Sequence, residues 1–258
     1  MKKVLVFGVG ILFLFGVSSQ IEATPIKWSQ LPDWEEGDDI TSFYHPDSEG
    51  GVVADDWQCE NGLPIVKITW WGTYPDDNDP NLPLGTPSRK TDFWIGIWDN
   101  SDDGSGYSHP GTLRMSYSCE GLQGYKDGFQ SQTGLNGYKY EWDVSNIPPL
   151  FFNQVAGQTY WISIMSVDAG SGPTYWQWKT SSTENVNYAV RGNMSPGIWI
   201  APPIGIDWSN FTGGTENLGV DMAYELTAVP EPSTVILLGS LATGLLGVFG
   251  IRRKFSGR

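Results

Sequence analysis

Histidine, cysteine and basic residues are scarce in this chain, and each scarcity excludes a class of function. The 258 residues include two His, two Cys, and 15 Lys and Arg against 29 Asp and Glu, for a net charge of −14. Nucleic-acid binding is excluded, because neutralising phosphates requires clustered Lys and Arg. With no Cys-x-x-Cys pair and only His45 and His109 to assist, we expect no zinc or redox site.

The chain also lacks the residue patterns of common hydrolases. It contains no Gly-x-Ser-x-Gly sequence, and two histidines leave little choice for a Ser-His-Asp site. A glycosidase needs only two carboxylates about 5–10 Å apart, and Glu141 and Asp143 would face the same side of a strand. Asp55 and Asp56 are adjacent and should point to opposite faces. We expect no enzyme, and a sandwich-fold glycan-modifying enzyme is the alternative.

Residues 1–23 are typical of a secretory signal peptide. Lys2 and Lys3 precede an apolar run, residues 4–17, and Ala23 offers a small residue at the cleavage site. At about 1.5 Å per residue, this run is about 21 Å long as a helix, shorter than the roughly 30 Å core of a bilayer. The pattern therefore predicts a cleaved signal helix rather than a membrane anchor.

The other end of the chain predicts a transmembrane helix. Residues 233–251 carry no charge, and their length is close to that needed to span a bilayer. Arg252, Arg253 and Lys254 follow directly, within a basic tail at 252–258. Because basic residues beside a span tend to stay in the cytoplasm, the body of the protein would lie outside.

Pro230, Glu231 and Pro232 stand just before this span. Together with the helix and the basic tail, they make residues 229–258 resemble the PEP-CTERM protein-sorting signal. The resemblance implies an exported protein of a Gram-negative bacterium that makes exopolysaccharide. It also implies an exosortase partner, a membrane transpeptidase-like enzyme that cuts near the tripeptide. The inner-membrane intermediate would then lose its helix, and the body would reach the cell surface or the extracellular matrix.

The central part of the chain, residues 24–228 (the body), is predicted to form one acidic β domain. It holds all 13 Trp, and its nine Lys and Arg against 27 Asp and Glu give a charge of −18. Apolar residues alternate with a period of two, which is typical of strands, in segments separated by Gly-, Pro- and Asp-rich turns. We predict an all-β fold, an antiparallel β-sandwich of jelly-roll type, with strands in segments 66–70, 93–98, 138–143, 160–165 and 221–226.

Short pieces of the body also resemble a group of uncharacterised β-sandwich ectodomains of PEP-CTERM proteins. They include Ala54-Asp55-Asp56-Trp57 and Trp70-Trp71-Gly72-Thr73-Tyr74. This resemblance implies fold and context only, since it carries no catalytic residue.

Two further patterns suggest a covalent link and a metal site. Cys59 and Cys119 would reach an oxidising compartment, where a disulfide would stabilise the fold by about 4 kcal/mol; two separate buried thiols are the alternative.

Asp99, Ser101 and Asp103 resemble the first half of a calcium loop, although Pro110 replaces the Glu that an EF-hand requires. Calcium is thus a candidate ligand, with a solvated acidic turn as the alternative; the turn with Asp76, Asp77 and Asp79 is similar.

Tryptophan supplies the remaining signal. Trp94 and Trp98 fall on the strand face opposite Phe93, and Trp176 and Trp178 share a face. Exposed aromatic rings on a sandwich could stack on sugars, whereas buried rings would simply form the core.

Together these patterns lead to one expectation. The chain is an exported surface or matrix protein, structural or adhesive and not an enzyme, with exopolysaccharide as a candidate partner. A plain carbohydrate-binding module is a further alternative.

Overall fold

The structure is a computed structural model that describes residues 25–44, 50–101, 108–145, 154–167, 175–183, 187–194, 206–210 and 219–229. The predicted terminal helices and the sorting and processing residues near Ala23 and after 229 lie outside these ranges. Within them, no helix is long and apolar enough to cross a membrane. The described chain is all-β, which confirms the predicted fold class.

Fourteen strands make up the described fold. In chain order they are β1 (Ile26–Gln30), β2 (Asp39–Thr41), β3 (Phe43–Tyr44), β4 (Gly50–Gln58), β5 (Ile65–Thr73), β6 (Pro87–Ser101), β7 (His109–Gln130), β8 (Leu135–Asp143), β9 (Thr159–Val167), β10 (Gln177–Ser181), β11 (Val190–Met194), β12 (Asp207–Asn210), β13 (Asp221–Met222) and β14 (Tyr224–Ala228).

The strands form one connected sheet in the order β1-β14-β5-β8-β7-β6-β9-β3-β4-β11-β12, with β10 joined to β2, β5 and β13. Its described pairings are antiparallel except for β3 and β9, which run parallel. The predicted antiparallel arrangement therefore includes one parallel pair. The long β7 pairs with β6 along most of its length and with β8 at its end, so it connects two parts of the sheet.

Contacts between strands far apart in this order show that the sheet folds over on itself as a sandwich. Trp70 on β5 packs edge-on against Phe93 on β6, with ring centroids 5.2 Å apart. The backbone N–H of Met222 on β13 donates to Asp55 Oδ2 on β4 (2.6 Å), and the Tyr224 hydroxyl on β14 donates to the Asp56 carbonyl (2.6 Å). These contacts enclose an inner core rich in aromatic rings.

The central strands are buried on both faces. Phe93, Ile95 and Ile97 belong to the inner core, while Trp94 and Trp98 lie on the opposite face, as their alternation predicts. That opposite face carries a second core, formed with residues of β4, β9 and β11. A strand that is covered on both sides is expected to be a nearly continuous apolar run, and the central part of β6, residues 93–98, is one.

A tryptophan lies on a pair of glycines outside the inner core. Gly128 on β7 and Gly137 on β8 are register partners, and the Trp34 ring covers both. A Cβ atom on Gly137 would lie 2.1 Å from Trp34 Cζ3, and one on Gly128 would lie 2.4 Å from Trp34 Cε2. Only glycine leaves room for the indole at these two positions.

We therefore expect Gly137→Ala to displace Trp34 and to lower the free energy of unfolding by about 1–3 kcal/mol, the usual cost of overpacking. Urea unfolding followed by tryptophan fluorescence would measure the change. Gly51→Ala is the matched control, because its Cβ would meet its nearest neighbour, Arg191, at 3.6 Å. Equal losses in the two variants would contradict the role of this glycine pair.

Candidate binding cleft

An open cleft of about 690 Å³ lies where β6 ends and β9 begins. Asp99 and Tyr160 are register partners on these strands, so the pairing itself brings the two ends together. The cleft is lined by Asp99, Asn100, Arg114, Val155, Gln158, Thr159 and Tyr160. Most of these side chains are polar, and several of them are held in one orientation by hydrogen bonds or an ion pair.

An ion pair forms one side of the cleft. Arg114 Nε donates to Asp99 Oδ2 at 2.6 Å, and Arg114 Nη2 contacts the same oxygen. The hydrogen bond to Asp99 and the charge of that carboxylate raise the pKa of Arg114. The guanidinium is half exposed, so it remains within reach of a ligand while it holds the Asp99 carboxylate in place.

The side chain of Asn100 is oriented by a buried tryptophan. Trp161, which is wholly buried, donates its Nε1–H to Asn100 Oδ1 at 2.8 Å. Because the amide oxygen is held in this way, the Nδ2 group is the end of the exposed Asn100 side chain that is available to a ligand. Asn100 therefore presents two hydrogen-bond donors beside the Asp99 carboxylate.

A second amide is oriented on the β9 side. The Tyr160 hydroxyl donates to Gln158 Oε1 (3.1 Å) and accepts the backbone N–H of Val155 (2.9 Å). With its oxygen engaged, Gln158 offers its Nε2 donors. The cleft thus combines amide donors with a carboxylate acceptor, and a sugar hydroxyl, which both donates and accepts, can satisfy both kinds of group.

The described residues that line the cleft do not include the pair of carboxylates that glycoside hydrolysis requires. Among its described lining residues Asp99 is the one carboxylate, and Arg114 neutralises it. The other predicted pair is also engaged elsewhere: Glu141 forms ion pairs with Lys67 (3.5 Å) and Lys139 (3.3 Å). Asp143 accepts the backbone N–H of Ser145.

The structure places only part of the predicted calcium turn. Asp99 has Arg114 as its partner, Ser101 is the last residue of β6, and Asp103 lies outside the described residues. Because a guanidinium occupies the Asp99 carboxylate, a cation would have to displace it. The described ranges contain no group of three His, Cys, Asp or Glu side chains able to hold a metal.

The carboxylates of the other acidic turn are engaged mainly by side chains of β6 and β8. Asp77 accepts from Asn136 Nδ2 (2.7 Å) and from the Tyr138 hydroxyl, while Asp76 pairs with Arg89 (2.5 Å). Asp79, the third acid of this turn, caps a backbone N–H. These carboxylates therefore stabilise the turn.

All four tryptophans predicted as a glycan platform are buried. Trp94 and Trp98 lie in the second core, and Trp176 and Trp178 lie in the inner core, each at most 5% exposed. Trp98 donates to Ser163 Oγ and Trp178 to the Ala223 carbonyl, so their polar edges also face the interior. The platform prediction is wrong for these residues, because the second face of β6 is covered and because Trp176 and Trp178 pack into the inner core.

The two cysteines are separate free thiols in the structure, both buried in the inner core. Cys59 follows β4 and donates to the Asn61 carbonyl (2.8 Å), whereas Cys119 lies on β7 opposite Phe93. Burial raises the pKa of Cys119 to about 12, which disfavours its thiolate. The predicted disulfide is therefore absent from this structure.

Asp55 and Asp56 point to opposite faces, as their adjacency predicts. Asp55 faces Met222, and Asp56 Oδ2 accepts from Asn187 Nδ2 at 2.9 Å. Burial, followed by the charges of Asp221 and Asp56, raises the pKa of Asp55 well above its usual value. Burial raises the pKa of Asp56 to about 6. The two carboxylates do not form a catalytic pair, but they make the packing of β4 sensitive to pH.

Most of the cleft cannot be recognised in the sequence. Arg114, Gln158 and Tyr160 belong to no motif that predicts a binding site, and they reach Asp99 only through the pairing of β6 with β7 and β9. The one local signal was the position of Asn100 directly after Asp99, at the start of an acidic turn.

Comparison with known families gives two matches. A model of a domain of unknown function, DUF7901, matches residues 26–227, and a model of the PEP-CTERM protein-sorting motif matches residues 228–254. The second match confirms the resemblance based on Pro230, Glu231 and Pro232. Searches of the curated proteins and of the solved structures find no match.

Proposed function

Because this chain belongs to the DUF7901 family and carries a PEP-CTERM sorting motif that marks it as an exported exosortase substrate, we propose that it works outside the cell as a structural or adhesive protein. In this role it is retained at the cell surface or in the extracellular matrix, where it holds exopolysaccharide without cleaving it. The cleft at the end of β6 is the contact site.

The observation that carries this proposal is the arrangement of oriented polar groups in the cleft. Trp161 fixes the amide of Asn100, and Tyr160 fixes that of Gln158, so both amides are ordered before a ligand arrives. A ligand that meets ordered partners loses less conformational entropy on binding. The neutralised Asp99 supplies an acceptor but no second acid, which favours binding over hydrolysis.

The charge of the body indicates which polysaccharides fit best. A secreted part with a net charge of −18 repels anionic polymers. A neutral glycan meets no such repulsion, and its hydroxyls match the donors and the acceptor of the cleft. We therefore assign an uncharged polysaccharide as the ligand.

We expect Asn100→Asp to weaken binding of neutral matrix polysaccharide about tenfold, the effect of losing about 1.4 kcal/mol of hydrogen bonding. The new carboxylate keeps an oxygen for Trp161 Nε1–H but replaces the donors that face the ligand. Affinity electrophoresis of the purified exported protein in gels that contain the polysaccharide would measure the change.

Asn81→Asp is the matched control, since it adds the same charge at an exposed position outside the cleft. It should leave binding unchanged. Equal effects of the two substitutions would contradict the cleft as the binding site. New reducing ends released by the wild-type protein would show an enzyme and overturn the non-enzymatic assignment.

A further inference from the structure

Lys179 and Asp39 form a buried pair between two neighbouring strands. They are register partners on β10 and β2, and their side chains are 0% and 5% exposed. Lys179 Nζ lies 3.6 Å from Asp39 Oδ1. Within the described part of the chain, Asp39 Oδ1 has no hydrogen-bond partner. The two groups therefore approach each other without a close hydrogen bond.

The hydrogen bonds of Lys179 define where the N–H bonds of its amino group point. Nζ donates to the carbonyl oxygens of Gly37 and Asp38, the latter at 3.2 Å. A neutral amine has two hydrogens and one lone pair. With both hydrogens directed at these carbonyls, the lone pair is left for the remaining neighbour, the carboxyl group of Asp39.

Burial shifts both groups towards their neutral forms. Burial lowers the pKa of Lys179, opposed by the nearby charges of Asp39, Asp33 and Asp38. Burial raises the pKa of Asp39, opposed chiefly by Lys179 and by hydrogen bonding from Thr73 and Thr133. In each case desolvation is the largest effect, as expected for charges removed from water.

We propose that Lys179 and Asp39 join in an intramolecular isopeptide bond. Nζ of the neutral amine attacks Cγ of the protonated carboxyl, and the Nζ–Cγ bond forms. A proton passes from Nζ to Oδ1, the Cγ–Oδ1 bond breaks, and one water molecule leaves. The reaction needs no oxidant or other reactant. The amide N–H retains a backbone carbonyl as its acceptor, and Oδ2, 3.5 Å from Thr133 Oγ1, becomes the amide oxygen.

This bond would stabilise the attachment of the short strand β2 to the rest of the fold. Strand β2 has three residues and is held to β10 by three register pairs, while β10 also pairs with β5 and β13. A covalent link from Asp39 to Lys179 would tie this short strand to the rest of the sandwich. In an exported protein whose two cysteines are not bonded to each other, it provides the covalent restraint that a disulfide would otherwise supply.

Lys27 shows why the link is specific to Lys179. It too is buried, but its Nζ donates to three oxygens: the Asn61 carbonyl (2.5 Å), Asn61 Oδ1 (3.1 Å) and the Leu63 carbonyl (3.0 Å). Burial lowers the pKa of Lys27 as well, but all three of its acceptors are carbonyl or amide oxygens, so its hydrogen-bond partners include no carboxyl group with which it could condense. We expect no link between Lys27 and Asn61.

Mass spectrometry of a tryptic digest of the full, exported protein tests the proposal. The peptide that contains Asp39 should be joined to the peptide that contains Lys179, at the sum of their masses less one water, with no cleavage after Lys179. Asp39→Ala and Lys179→Arg should each abolish this species. Protein that is made in a cell-free reaction and transferred into urea immediately after synthesis should lack it, because formation of the link depends on the folded geometry.

The wild-type digest is decisive even where a variant fails to fold. Free peptides and complete cleavage after Lys179 in folded wild-type protein would overturn the proposal. A link at Lys27 instead would overturn the argument from hydrogen-bond partners. Either result would leave the glycan-binding proposal intact, since the cleft lies on other strands.

Discussion

Replacing Trp70 by Ala should lower the free energy of unfolding by about 3–5 kcal/mol, the usual cost of removing a large aromatic side chain from a core. Trp70 is wholly buried on β5, stacks on Tyr140 with centroids 5.7 Å apart, and meets the edge of Phe93 at 5.2 Å. Because Phe93 lies on β6, the indole joins strands that are not neighbours in the sheet. Its loss would leave a cavity where the folded sheet closes on itself.

Urea unfolding of Trp70→Ala and Trp70→Phe would measure this effect. The Phe variant keeps an aromatic ring in the inner core and should lose much less stability. Trp142→Ala is the control, since Trp142 on the same inner face is only partly buried, packed against Tyr117. Similar losses for Trp70→Ala and Trp142→Ala would contradict a closing role for Trp70.

The β6 segment shows how far the sequence determines this fold. Its alternation correctly separates Phe93 and Ile95 from Trp94 and Trp98, because side chains on a strand alternate between faces. Alternation cannot tell whether the second face is covered. That cover comes from residues of β4 and β11, which are distant along the chain, so the sequence does not show that Trp94 and Trp98 are buried.

For a related reason, neither the cleft nor the unpaired state of the two cysteines could be predicted from the sequence. Asp99 meets Tyr160 only because β6 pairs with β9, and no local pattern fixes that pairing. Likewise, spacing in the sequence gives no distance between Cys59 and Cys119, whereas a disulfide depends on that distance. Local periodicity predicts strands and their faces, but sites built by long-range pairing require the structure.

Replacing Asp221 by Asn should stabilise the protein at alkaline pH and change little at acidic pH. Asp221 and Asp55 are both buried, and after burial itself the charge of Asp221 is the main reason why the pKa of Asp55 is raised. Asp56 follows the same trend, since burial raises its pKa to about 6. The folded chain therefore holds protons that the unfolded chain, with aspartate pKa values near about 4, releases.

The sign of the pH dependence follows from this difference. A carboxyl whose pKa is raised on folding contributes most to stability below its unfolded pKa, and the contribution is lost as pH rises through the folded pKa. For Asp56 the loss between about pH 4 and pH 7 amounts to about 2–3 kcal/mol, at about 1.4 kcal/mol per pH unit. Asp55 adds a further loss at higher pH, and this part depends on Asp221.

Without the charge of Asp221, Asp55 can ionise at lower cost, so Asp221→Asn should gain about 1–2 kcal/mol at pH 8 and almost nothing at pH 4. Urea unfolding at the two pH values measures the difference. Glu35→Gln removes the same charge from an exposed loop, and it should change stability by less than about 0.5 kcal/mol at either pH. A gain from Asp221→Asn that is equal at both pH values would contradict the coupling, because a proton-linked effect must disappear where Asp55 is already protonated.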